Sequence, residues 1–121
     1  MYKDWPQFAT DVTGAMGELR KAAPEVMQAF SGLAKAATAE GALSTKTKEL
    51  IALGISVAIR CDGCIAFHAR AAARHGATRE EIAETLGMSV YMGGGPSAVY
   101  GGIAMEAFDQ MKAEIDAKKG A

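Results

Sequence analysis

Helix-starting and helix-ending residues recur along this chain, and the apolar stretches between them repeat at a helical rather than a strand period. No segment alternates apolar and polar residues for long enough to make a strand. Asp4, followed by Trp5 and Pro6, opens a first helix that runs to about Lys21. A second starts near Pro24, carries Val26, Met27, Phe30, Leu33 and Ala34 at helical spacing, and fades around Gly41. Ser44 caps a third, STKTKELIALGISVAIR, which places Leu50, Ile51, Ile55, Ala58 and Ile59 on one apolar stripe. A fourth begins within CDGC and ends near His75-Gly76, with Gly76 as a left-handed C-cap. Thr78 with Glu81 three residues later is a capping-box signature for a fifth. Gly93, Gly94, Gly95 and Pro96 break that helix. A sixth follows from about Pro96 with Val99, Ile103, Ala107, Met111 and Ile115 on one side, and its end, DAKKGA, is expected to fray. The reading is a compact all-α, six-helix domain spanning residues 1–121.

Composition narrows what such a domain does. Of the 121 residues, half are hydrophobic but only 7% are aromatic, so the core is built from small side chains. A lone copy then has a modest core, which favours a homo-oligomer, and the seven methionines are expected to fill helical apolar faces. The formal net charge of −1 supplies no basic patch for phosphate backbones, so nucleic acid is not an expected partner. The longest apolar run, Leu50 to Ile59, is about half of the roughly 20 residues that a membrane helix needs. The opening MYKDWPQFATDV lacks the pattern of a secretory signal. A cytoplasmic location is the expectation, and there a CxxC pair more often does chemistry or binds metal than staples a fold. The GGGP segment lacks the Gly-Lys-Ser/Thr ending and the preceding strand of a phosphate loop, so it reads as a helix break.

The two cysteines of the chain lie in CDGCIAFH, residues 61–68. With Asp62 read as the N-cap, Cys64 falls in the first turn of the fourth helix and Cys61 just outside it. The free N–H groups and dipole of a helix start favour an anion and can lower a thiol pKa, an effect that the charge of Asp62 opposes. His68, four residues after Cys64, shares its face and can take the thiol proton. Glu49 is the best group to orient that imidazole. If the third and fourth helices form a hairpin that turns near Arg60-Cys61, Glu49 and His68 differ in depth by roughly 5 Å, within reach of a long carboxylate side chain. A Cys61–Cys64 bridge over so short a loop adds only about 2 kcal/mol by chain entropy, which suits a cycling bond better than a staple.

Three readings of this stretch stand side by side. A redox-active pair uses the spacing, the cap and the histidine together. A metal site would use Cys61, Cys64 and His68 completed by Glu49, without the second CxxC or histidine pair that structural zinc draws on. Two buried cysteines without chemistry are the third. His75 lies about three helical turns beyond Cys64 and suits the C-terminal end of the helix dipole.

The stretch KELIALGISVAIRCDGCIAFHARAAARHGATREEIAETLGMSVYMGGGPSAVYGGIAMEAF resembles the carboxymuconolactone decarboxylase-like superfamily, and within it the alkylhydroperoxidase D-like branch. The likeness covers about residues 44–108, and the Glu-x11-Cys-x2-Cys-x3-His pattern is met by Glu49, Cys61, Cys64 and His68. The resemblance implies an all-α fold assembled into trimers or hexamers; no bound cofactor and no membrane partner are expected. It implies thiol-dependent reduction of alkyl hydroperoxides, or disulfide exchange, in antioxidant defence. In the mechanism that the resemblance implies, Cys64 attacks the peroxide, Cys61 resolves the sulfenic acid as a disulfide, and His68 with Glu49 relays the proton. A dithiol such as a lipoyl-bearing or thioredoxin-like protein restores the thiols. The namesake peroxidase has a histidine immediately before the second cysteine, where this chain has Gly63. The decarboxylase branch of the superfamily lacks the CxxC, and decarboxylation of a carboxymuconolactone-type acid is the alternative activity, beside a non-catalytic metal-binding helical module.

Overall fold

The breakers act close to where the sequence places them. In the computed structural model, which describes residues 1–120, six α-helices follow one another: α1 Trp5–Ala22, α2 Pro24–Thr38, α3 Thr45–Ala58, α4 Asp62–Arg74, α5 Arg79–Gly93 and α6 Gly95–Lys119. The Asp4 carboxylate accepts the Gln7 N–H at the start of α1, and the Ser44 hydroxyl accepts the Thr47 N–H at the start of α3. The Thr78–Glu81 capping box closes in both directions at α5. Gly94, at φ +69°, makes the break between α5 and α6 within a single residue, a conformation that side-chain-bearing residues rarely adopt.

Two helix ends differ from expectation. α2 stops at Thr38 rather than near Gly41, because its last carbonyls are taken up by the next helix. The Thr45 hydroxyl donates to Thr38 O at 2.7 Å, and Lys48 Nζ donates to Ala39 O at 2.6 Å. The end of α6 does not fray within the described residues but stays helical to Lys119; Ala121, the last residue of that expectation, lies outside them.

Helix α4 lies at the centre, packed against α3, α6 and α1, while α5 packs on α3 and α6. Its inward positions are Ile65, Ala66, Ala69, Ala72 and Ala73, all buried. Short side chains let neighbouring axes close in, and the large groups come from around it: Trp5, Leu53, Val57, Ile82, Phe108 and Met111, each fully buried. Burying each contributes about 1.5–3 kcal/mol. No helix of the described residues is long and apolar enough to cross a membrane.

The α3 stripe read from the sequence is not the core face. Ile51, Ile55 and Ile59 are about half exposed or more, while Glu49, Leu53, Ser56 and Val57 are buried. Helix α2 is similar: Met27 is buried, but Val26, Phe30 and Leu33 are open. The methionines also divide, with Met27 and Met111 in the core and Met88 and Met92 exposed. Helical periodicity identifies an apolar face, but the neighbouring helices decide which face is covered.

The residues before α1 form an arm stitched to α6 by Glu106 and Gln110. The Tyr2 and Lys3 N–H groups donate to the Glu106 carboxylate at 2.6 and 3.1 Å, and the Trp5 indole N–H joins them at 2.9 Å. Gln110 accepts the Trp5 N–H and donates to Lys3 O. Glu106 is held below the ordinary carboxylate range, chiefly by the Tyr2 N–H, then by the indole and the Lys3 N–H, with desolvation opposing. A carboxyl whose folded pKa is depressed stabilises the fold above its unfolded value, about 4.3, and that contribution is lost as the pH falls through the folded value. Trp5 is the only tryptophan, so its emission reports the arm. A change in emission is expected in acid below about pH 4, and Glu106→Gln is expected to abolish that titration. Persistence of the same transition in the variant would assign it to other carboxylates.

Candidate functional site

The turn between α3 and α4 builds the site. Helix α3 ends in a Schellman arrangement: the Arg60 N–H donates to Val57 O and the Cys61 N–H to Ser56 O, both at 3.1 Å. The pivot residue is Arg60, at φ +58°, the only non-glycine residue with positive φ among those described. Helix α4 ends in the same way over Ala72 and Ala73, with Gly76 as its pivot at φ +82°. The chain thus uses glycine at one such turn and arginine at the turn leading into CxxC.

The Cys61 N–H closes α3, Cys61 itself is extended, and α4 starts one residue earlier than expected. Cys61, not Asp62, is the N-cap, and its sulfur accepts the Cys64 N–H at 3.2 Å. Asp62 is the first helical residue, and its carboxylate meets Lys3 Nζ at 3.3 Å. Cys61 and Cys64 are joined as a disulfide with their Cα atoms 5.2 Å apart. The extended backbone at Cys61 lets its sulfur reach a partner that two helical positions three residues apart would hold too far away.

The α3–α4 hairpin brings Glu49 and His68 together. His68 Nδ1 lies 2.8 Å from Glu49 Oε2; Glu49 is buried, and the His68 side chain is one-third exposed. A carboxylate only accepts, so the Nδ1–H points to Glu49, and in the neutral imidazole Nε2 carries the free lone pair. On α4, Cys64 and His68 are one turn apart on the same face. The four residues singled out from the sequence therefore fall on one hairpin: two sulfurs at the start of α4, an imidazole one turn along, and a buried carboxylate that orients it. His75 caps the far end of α4, exposed and outside this group. With the sulfurs joined, the described residues hold no cluster of three or more His, Cys, Asp or Glu placed to bind a metal ion.

Three further features escaped the sequence. A groove of about 390 Å³ between α2 and α3 has His68 on its wall, with Phe30, Ile51 and Ile55 supplying apolar surface and Lys48 at its edge. A Cβ placed on Gly63 would lie 3.5 Å from Val12 of α1, so the backbone between the cysteines faces a helix rather than solvent alone. Lys3 reaches the site from 59 positions away in the chain. No local pattern could have linked that lysine to Asp62.

The sequence profile of the carboxymuconolactone decarboxylase family matches residues 24–109. The chain belongs to this family. The match covers α2 to α5 and much of α6, and leaves out α1 and the arm before it. An uncharacterised protein of Cupriavidus necator is 45% identical over 93% of this chain and 100% of its own length. A protein of the cox locus of Paracoccus denitrificans, also uncharacterised, is 33% identical over 82% of this chain and 89% of its own. The crystal structure of an apo carboxymuconolactone decarboxylase family protein from Legionella pneumophila superposes with a TM-score of 0.86 at 51% identity, covering 89% of this chain and 96% of that one. Within the family, the CxxC of this member fits the alkylhydroperoxidase D-like branch.

The arginine pivot of this family member gives a direct test of the turn. Holding a non-glycine residue in the left-handed region costs about 1–2 kcal/mol, so Arg60→Gly is expected to raise thermal stability, offset in part by the greater freedom of glycine in the unfolded chain. Thermal melts of the oxidised protein check it. A lower melting temperature would show that the guanidinium makes contacts worth more than the strain.

Proposed function

We propose that this family member is a thiol-dependent oxidoreductase whose Cys61–Cys64 pair cycles between dithiol and disulfide, reducing alkyl hydroperoxides or exchanging disulfides. The observation that carries the reading is the His68–Glu49 pair, formed one helical turn from Cys64 on the helix that Cys61 caps. A base oriented by a buried carboxylate, beside a nucleophile at a helix start, is the arrangement that thiol activation needs.

The steps follow from that arrangement. His68 Nε2 takes the Cys64 proton, and the thiolate attacks the terminal oxygen of ROOH. The O–O bond breaks, Cys64 becomes a sulfenic acid, and the alkoxide takes up the proton from His68 and leaves as ROH. Cys61 gives its thiol proton to His68 and attacks the Cys64 sulfur; the S–O bond breaks, and the departing hydroxyl takes that proton from His68 and leaves as water. An external dithiol, lipoyl-bearing or thioredoxin-like, reduces the bridge and is itself oxidised. Gly63 stands where the namesake peroxidase has a histidine, which favours dithiol exchange over fast peroxide turnover. The protein is placed in the cytoplasm on this reading, in antioxidant defence.

Self-association completes the proposal. Val26, Phe30 and Leu33 on α2 and Ile51, Ile55, Ile59, Met88 and Met92 on α3 and α5 leave a broad apolar surface uncovered by the chain itself. A trimer or hexamer of this chain would cover it.

Hydroperoxide consumption driven by a dithiol is the test. Cys64→Ser is expected to fall to background, and Cys61→Ser to stop after one equivalent with Cys64 held as sulfenic acid. His68→Ala and Glu49→Gln are expected to lose about 10²–10⁴-fold, the usual range for a positioned base. Wild type no faster than the double-serine protein would remove the peroxidase activity. Exchange of its disulfide with a dithiol would then still support the oxidoreductase. Turnover of a carboxymuconolactone-type acid that survives loss of both cysteines would favour decarboxylation instead.

A further inference from the structure

Asp62 lies between the two cysteines, and its negative charge at that position opposes formation of a thiolate on either side. The structure supplies a partner for it from outside the hairpin. Lys3 Nζ lies 3.3 Å from Asp62 Oδ2, with the two side chains 28% and 25% exposed. The same ammonium sits over the Phe8 ring at 4.5 Å and the Tyr2 ring at 5.1 Å. Lys3 is not a loose surface lysine, since its own N–H is bound to Glu106 and its C=O to Gln110. An ion pair with both side chains partly buried is screened less than an exposed one.

Carboxylates on the arm and on the helices packed against α4 have other partners, Asp11 on α1 accepting from the Gln7 amide among them. Glu49 on α3 is paired with His68 of α4, Glu106 on α6 is taken up by the N–H groups of the arm, and the Asp4 carboxylate caps α1. Arg60 stands exposed in the turn, and the chain's amino terminus lies on the arm with Lys3. Among the carboxylates named, Asp62 alone has a lysine as its partner.

We propose that Lys3 is a positioning residue for the dithiol: held by the arm, it neutralises Asp62 beside Cys61 and Cys64, so that the thiolate forms more readily and the disulfide is more easily reduced. The inference rests on the redox reading of the CxxC, and it gives the arm, which lies outside the matched family region, a part in that chemistry. No electron passes through Lys3; it changes only the charge that the sulfurs meet.

The test measures alkylation of the reduced protein by iodoacetamide across pH 5–10, with peptide mass assigning each thiol, and the CxxC potential against glutathione buffers. Lys3→Met is expected to slow alkylation near neutral pH by about 3–10-fold, the effect of one unit charge several ångströms away in screened surroundings. It should move the profile to higher pH and make the disulfide harder to reduce. Lys3→Arg should restore the wild-type profile, as should adding Asp62→Asn to Lys3→Met. Glu106→Gln, which weakens the hold on the arm with Lys3 intact, should shift the profile in the same direction as Lys3→Met and by less. An unmoved profile in Lys3→Met overturns the proposal, and so does a shift that neither Lys3→Arg nor Asp62→Asn reverses. The alkylation profile reads Lys3 even in a protein that consumes no peroxide, so failure of the peroxidase activity and failure of this inference are told apart.

Discussion

Cys61 serves two helices at once, and the site depends on it. Its backbone N–H ends α3 on Ser56 O, and its sulfur begins α4 by accepting the Cys64 N–H. A helix leaves several backbone groups without partners at each end, and here one residue satisfies groups on both sides of a three-residue turn. The extended conformation this requires also lets its sulfur reach Cys64. Once the turn is closed this way, α3 and α4 lie side by side, and Glu49 meets His68 at a depth set by the helical rise alone.

The rest of the fold supports that hairpin unevenly. Alanines along α4 let α3, α6 and α1 come close, and the bulky residues that fill the core belong mostly to those neighbours. Helix α2 has little of its own chain against it, and the outer faces of α3 and α5 are apolar and open. The cysteines lie instead near α1 and the arm, on the side where Lys3 and Val12 approach. The hairpin therefore has one neighbourhood supplied by the chain itself and another that a second copy is proposed to supply.

Much of this was legible beforehand, for local reasons. Caps and glycine pivots act within a few residues, so Asp4, Ser44, Thr78, Gly76 and the glycine break before α6 all announced themselves. Glu49 and His68 could be paired because a tight hairpin converts residue counts into depths. What misled was equally physical. Asp62 is a good capping residue, but the end of α3 needed the Cys61 N–H, and that moved the cap back by one. The isoleucines of α3 looked like core because periodicity cannot distinguish a covered apolar face from an open one.

The sequence by itself determined six helices, their order and nearly all of their ends, together with the residues that could do thiol chemistry. Those properties depend on backbone hydrogen bonds and side-chain spacing within a turn or two. Only the tertiary structure decided which apolar faces are buried, which residue caps α4, and that Lys3 pairs with the carboxylate between the cysteines. Each of those depends on groups far apart in the chain competing for the same partner or the same space, and that competition is settled only when the helices pack.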